Sequence, residues 1–326
     1  MKKNLLAGLL FAASVGIAHA ADFTMRLSHQ LPPTHHVAKT LDRFAEDVAK
    51  ETGNRVEVQI FGSEQAFKAA QNHAAVARGQ IEAAIVTNFQ WGGTIPEMNA
   101  ITLPYFMTDL GRLERFPKSE AARLLEDKLL EKGVRNIAWL YTSRQSIFTS
   151  NGKPLIETED FQGMKVRGLS KLVDEGLIAV GAAPATMPGS EVYQALQTGV
   201  IDAGLTDVSA GYSRRYYEVQ KYGTVTPFFA VYFHLFVTPA WWDKLPADVR
   251  AGIERAADKA ERDIVGVTEE TAANAITQLK DKGMVIHVQS DEEAAVWKSR
   301  MQKPVLDAFR KLGPDATRLV DLIEKL

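Results

Sequence analysis

The chain has 326 residues, 46% of them hydrophobic, with a formal charge of -2 and no cysteine. The lack of cysteine excludes disulfides, thiol chemistry, iron–sulfur clusters and cysteine zinc sites. The near-balanced charge argues against nucleic acid or a broadly anionic surface as partner, and the length suffices for two lobes with cores of their own.

The first twenty residues read as an export signal. Met1-Lys-Lys is a charged start, Leu5 to Ile17 is an apolar run too short to span a bilayer, and Ala18-His-Ala20 is a small-x-small cleavage site. A lipoprotein anchor is not expected, since no cysteine stands at the cleavage point. Cleavage would leave 306 residues starting at Ala21 and, with Lys2 and Lys3 gone, take the charge from -2 to -4. The expectation is export.

Phe23 to Leu27 predicts a strand, followed by a Pro32-Pro33 loop. A helix is predicted from about His35 to Thr52, with Val37, Leu41, Phe44, Ala45 and Val48 on one face and Gly53 ending it. Val56, Val58 and Ile60 alternate with polar residues as a second strand. Ser63 is expected to cap a helix that ends at Arg78-Gly79. Ile81 to Val86 is a buried strand delivering Thr87 and Asn88 to its carboxyl end, with Trp91 just beyond, beside Gly92-Gly93. Alternating helices and strands imply a mostly parallel sheet. A helix from about Lys118 to Lys132 and a strand from Val134 to Tyr141 complete the first lobe, which the chain is expected to leave near Ser143-Arg144-Gln145.

Residues 163–207 then read as strand, helix, short strand, helix, strand, and the first of these strands ends on Arg167. Ligands of α/β folds bind at the carboxyl ends of strands, and the planar fork of arginine suits a carboxylate. For a lone arginine, a surface or inter-strand salt bridge is the commoner role. Tyr212 to Lys221 is predicted helical, and Val231 to Val237 a strand returning to the first lobe. Leu245-Pro246 opens a helix reaching about Lys282, on the order of 50 Å long and so able to run along both lobes. A strand from Met284 to Val288, a capping box of Ser290 and Glu293, and a last helix after Gly313-Pro314 close the chain.

Two segments match in register: Ala75-Val-Ala-Arg-Gly79-Gln-Ile-Glu-Ala-Ala-Ile85 and Ala195-Leu-Gln-Thr-Gly199-Val-Ile-Asp-Ala-Gly-Leu205. Both read as helix end, glycine stop and apolar strand, and the strands end at the matching Thr87-Asn88 and Thr206-Asp207. Helix, glycine, strand is common in α/β proteins. Two similar lobes facing each other across a cleft would also produce it.

The motifs of an enzyme are missing: there is no Gly-x-Ser-x-Gly, no Gly-x-x-x-x-Gly-Lys-Ser/Thr and no His-Glu-x-x-His. His29, His35 and His36 cluster, but a solvated or capping role suits them better than a metal. The parts of an anion binder are present. Arg144 and Arg167 follow consecutive strands, Trp91 stands where it would close over a ligand, and Phe228, Phe229, Tyr232 and Phe233 form an aromatic run.

The stretch from Gly163 to Asp207, with Lys165-Val-Arg167, Gly181-Ala-Ala-Pro184, Ser190-Glu-Val-Tyr-Gln-Ala-Leu-Gln-Thr-Gly199 and Val200-Ile-Asp-Ala203, resembles the solute-binding proteins of TRAP transporters. So do Phe44-Ala-Glu-Asp-Val48, Gly79-Gln-Ile-Glu-Ala83, Leu103-Pro-Tyr-Phe106, Tyr217-Glu-Val-Gln-Lys-Tyr222 and Trp242-Asp-Lys-Leu-Pro-Ala-Asp248. The resemblance covers essentially the whole mature chain in order. It implies a two-lobed periplasmic-binding-protein-like α/β fold with a cleft and a long bridging helix, and delivery of an organic acid to a membrane permease driven by an ion gradient. It implies that Arg167 clamps the ligand carboxylate, that Arg144 is a second cleft arginine, and that Thr87 and Asn88 contact ligand with Trp91 beyond. Two departures stand out. Thr206 replaces a usual asparagine and Asp207 adds a carboxylate. Gly189 replaces a frequent aromatic, leaving space for Phe228 or Trp91 to fill.

The expectation is therefore a periplasmic receptor for a small carboxylate-bearing solute, not an enzyme, with no cofactor, no metal and no nucleic acid, working as a monomer with TRAP permease subunits. The same fold feeding a membrane sensor, and a periplasmic enzyme on that fold, are the alternatives. The expected division is a signal peptide at 1–20, lobe 1 from 21–142 plus about 233–265, and lobe 2 from 143–232 plus about 266–326.

Overall fold

The computed structural model describes residues 21–326. The expected signal peptide, residues 1–20, lies outside the described residues. The chain opens with β1 (Phe23–Ser28), α1 (His36–Glu51), β2 (Val56–Phe61), α2 (Asn72–Ala77), β3 (Ala83–Thr87), α3 (Leu110–Arg115), α4 (Glu120–Glu131) and β4 (Arg135–Ser143). It then crosses into β5 (Ser146–Ser150), β6 (Lys165–Gly168), α5 (Lys171–Ile178), β7 (Ala183–Thr186), α6 (Val192–Gln197), β8 (Gly204–Asp207), α7 (Val208–Ser213) and β9 (Tyr222–Thr226). It returns through β10 (Val231–Val237), α8 (Pro239–Trp242) and the 35-residue α9 (Ala247–Asp281), and ends in β11 (Val285–Val288), α10 (Asp291–Arg310) and α11 (Pro314–Glu324).

The first sheet has the order β2-β1-β3-β10-β4, and the second β11-β9-β5-β8, with β6 and β7 paired beside it. The strands next to the crossings, β5 and β10, run antiparallel to their neighbours, while β1, β2 and β3 are parallel, as are β9 and β11. All seven residues of β10 are buried, as a central strand covered on both faces requires. In α1, the predicted stripe of Val37, Leu41, Phe44 and Val48 faces the core, and His35 caps the helix by accepting the Val37 amide at 3.2 Å.

The long helix joins the two halves. Ile253, Ala257 and Ile264 of α9 lie in the core under the first sheet, and Ala272, Ala275 and Leu279 in a core under the second. Gly252 permits the crossing with α1, because a Cβ there would stand 2.7 Å from the Glu51 carbonyl oxygen. The repeated segments fold alike: α2 stops at Gly79 (φ +68) and α6 at Gly199 (φ +72), the left-handed conformation that glycine adopts without strain.

Three expectations are corrected. Ser63 caps no helix; it sits in a left-handed turn (φ 51) bonded to the Leu31 carbonyl, and α2 begins only at Asn72. The helix expected over Tyr212 to Lys221 starts and ends earlier. Asp207 caps it directly at the strand end, and Arg215 (φ 62) breaks it before a short 3-10 turn at Tyr216–Glu218. The C-terminal helix, expected with the second lobe, packs Leu319, Val320 and Ile323 into the core under the first sheet.

Candidate functional site

Strand ends from both halves meet at a chamber of about 20 Å³, and outside it a mouth of about 420 Å³ shares Gln30, Gly189 and Arg214 with it. The first half contributes Gln30 after β1, Thr87 and Phe89 at the end of β3, and Val231 and Phe233 of β10. The second contributes Arg167 from β6, Thr206 and Asp207 from β8, and Phe229 from the crossing. Ser190 closes the rim by donating to Glu64 across the cleft at 2.9 Å, and Ser170 donates to Asn99 at 2.7 Å.

Arg167 is 2% exposed. Its Nε and Nη2 donate to the Met187 carbonyl at 3.3 and 3.2 Å, and Nη1 donates to the Leu205 carbonyl at 2.6 Å. A guanidinium has five N–H groups, so one remains on each terminal nitrogen, the arrangement that takes a carboxylate with two parallel bonds. Phe89 lies with its ring centroid 5.8 Å from the guanidinium carbon. Burial pulls the Arg167 pKa down to about 10; nearby Tyr216, Asp207 and Asp174 oppose that fall, while Arg214 adds to it. The cation is held by neutral carbonyls and has no ion-pair partner among the described residues.

Asp207 is buried, and desolvation raises its pKa, against the pull of Arg214 and the Ala210 amide. Asp174 is tied to the Leu169 amide and the Thr186 hydroxyl, and burial raises it as well. Gly168 gives Asp174 its place, since a Cβ there would collide with the carboxylate. Three polar atoms lining the chamber, Gln30 Oε1, Thr87 Oγ1 and Arg214 Nε, are buried without a protein partner. Leaving such groups unpaired costs about 1–3 kcal/mol each, and a polar solute would satisfy them.

Of the expected site residues, Arg167, Thr206, Asp207 and Thr87 come together here. The other four lie elsewhere. Arg144 follows β4 but turns away from the chamber, pairing with Glu269 of α9 at 2.8 Å and donating to the Thr108 carbonyl. Asn88 points into the first core, donating to Met98 O and Thr102 Oγ1 and accepting from the Tyr232 amide. Trp91, 2% exposed, donates to His234 Nε2 at 2.7 Å inside the same core. Phe228 packs edge-to-face on Phe148 and Tyr105, and its neighbour Phe229 faces the chamber instead. Gly189 is not filled by an aromatic ring; it faces the guanidinium of Arg214.

Gln30, Phe89 and Arg214 were missed. Gln30 was legible as a polar residue just past the end of the first strand. Arg214 lies seven residues after Asp207, two helical turns, which returns it to the face of the strand end. The histidines serve the turns and the helix start: His29 and His35 each accept a backbone amide, and burial holds His29 and His36 at a pKa of about 4. Among the described residues no group of three or more metal-ligating side chains is found.

The sequence profile described as bacterial extracellular solute-binding protein, family 7, matches residues 27–312. The C4-dicarboxylate-binding periplasmic protein DctP of Rhodobacter capsulatus is 30% identical, with 98% of each chain covered. A TRAP periplasmic solute-binding protein from Sulfurospirillum deleyianum, solved with bound succinate, superimposes with a TM-score of 0.84 at 27% identity, covering 93% of this chain and 99% of that one. Another from Rhodoferax ferrireducens, solved with bound malonate, gives 0.86 at 25% identity over 92% and 97%.

Proposed function

The chain belongs to bacterial extracellular solute-binding protein family 7, and from that premise we propose that it captures a small carboxylate-bearing organic solute and hands it to the membrane permease of a TRAP-type transporter. The observation that carries the reading is Arg167: a buried cation held by backbone carbonyls alone, with two N–H groups uncommitted at the edge of an inter-lobe chamber. Burying a charge is costly unless it is paired. An incoming carboxylate supplies the pair, so the solute favours the closed arrangement of the lobes. Thr87 and Gln30 from one lobe, and Thr206 from the other, complete the polar lining.

In this reading the lobes divide at the two crossings, 144–145 and 227–230, with α9 spanning both and α11 returning to the first. The protein acts in the periplasm after loss of residues 1–20, as a monomer, without nucleic acid. The relatives solved with succinate and malonate support a small organic acid as cargo.

A thermal-shift screen of the mature protein across organic acids tests the proposal. A ligand at a hundred times its Kd adds about 2.7 kcal/mol of stability. Mass spectrometry should recover the bound acid chemically unchanged. No stabilisation by any carboxylate, or conversion of the acid, would count against a carboxylate receptor.

A further inference from the structure

Building on the carboxylate-receptor reading, we propose that Arg214, seated by Gly189, is the second ligand anchor of the cleft, the residue by which this chain holds the far anionic group of a short solute of the kind its relatives bind. Arg214 closes α7 and borders both the inner chamber and the mouth. At about 20 Å³ the chamber has room for about one water. A solute whose carboxylate meets Arg167 must therefore extend past Arg214 toward the mouth of about 420 Å³.

The donor inventory points the same way. Nη1 of Arg214 makes one long contact, 3.5 Å, to the Thr206 hydroxyl, and its Nε is buried without a partner. Most of its fork is thus uncommitted, more than Arg167 has left. Of the other charges of the mouth, Arg215 pairs with Glu218 at 2.5 Å, while Glu64 accepts from Ser190 and the Ala69 amide through one carboxylate oxygen and has no ion-pair partner among the described residues. Asp207 offsets one of the two cations, but its Oδ1 is committed to the Ala210 amide. Tyr216 also faces Arg214, with its buried phenol held protonated.

Gly189 is not among the glycines with positive φ, so the backbone does not demand a glycine there. The guanidinium does: a Cβ at 189 would run into the terminal nitrogens of Arg214. Glycine and arginine therefore form one device, in which a cation occupies the volume that a side chain at 189 would take.

Calorimetric titration with succinate and butyrate tests this, because the two acids have the same carbon count and differ by the second carboxylate. Wild-type should prefer succinate by about 100-fold, the worth of one charge-assisted pair of hydrogen bonds. Arg214→Gln should reduce that preference to roughly fivefold or less by weakening succinate alone. Gly189→Ala, which displaces the fork without removing its charge, should weaken succinate about tenfold. Arg214→Lys, closer in charge, guards against a variant that fails to fold. A wild-type protein that takes up neither acid or favours neither, or an Arg214→Gln variant that keeps the preference, overturns the proposal. If Arg167→Gln leaves both affinities unchanged, the carboxylate-receptor reading itself falls.

Discussion

Replacing Arg167 by alanine removes the two uncommitted N–H groups of a side chain that lines the chamber. Hydrogen bonds to a charged group contribute about 1.5–3 kcal/mol each, so the pair should be worth about 3–6 kcal/mol, or roughly a hundred- to ten-thousandfold in Kd. The same substitution strips the donors from the carbonyls of Met187 and Leu205, costing about 1–3 kcal/mol of stability. Relief of a desolvated cation offsets part of that loss, since burial already works against the charge. Arg167→Lys separates the effects, because it keeps a charge and loses the planar fork; its affinity should fall between the other two. Isothermal titration with the acid chosen by the thermal-shift screen gives Kd, and urea unfolding gives stability. A folded Arg167→Ala protein binding within about threefold of wild-type would refute the clamp.

Arg144→Ala should leave affinity nearly unchanged and cost about 1 kcal/mol in urea unfolding, because a half-exposed pair with Glu269 is what it breaks; a loss of binding like that of Arg167→Ala would place it at the ligand. Asn88→Ala should destabilise by about 2–4 kcal/mol, as Met98 O and the Tyr232 amide lose their buried partner, with little change in Kd. Stability should also fall steeply in mild acid. Burial depresses the folded-state pKa of His29 and His36 from 6.5 to about 4 and of His234 to about 3. Their neutral forms stabilise the fold fully above pH 6.5, and that contribution is lost as pH falls toward 4, on the order of 2 kcal/mol for each by pH 5. Melting temperatures between pH 7.5 and 5 measure it, and His36→Gln should flatten the slope; an equally flat curve for wild-type would contradict the assignment.

The elements most legible in the sequence were those with a local cause. The stripe of α1, the capping box at Ser290 and Glu293, the glycine stops at 79 and 199 and the unbroken run to residue 281 all follow from periodicity and backbone freedom. Where the sequence misled, longer-range contacts prevailed. Ser63 has the chemistry of a cap, but its bond to Leu31, from the turn after β1, draws it into a left-handed turn.

The candidate site divides in the same way. Strand periodicity places Arg167, Thr87, Thr206 and Asp207 at carboxyl ends, while the family resemblance is what marks those positions as ligand-facing. Periodicity does not say which way a side chain turns once the strand has ended. Arg144 and Arg167 both follow strands, yet one meets Glu269 of α9, beside Tyr141, and the other meets only carbonyls inside the cleft. That difference is made by partners more than a hundred residues away for Arg144 and by the packing of β6 beside β8 for Arg167. Motifs and spacing in the chain carry the family, the two-lobed architecture and the placing of a cation, Arg167, at a strand end. Which arginines share the cleft emerges from the folded chain, because a side chain's direction past a strand end depends on what the rest of the chain packs against it.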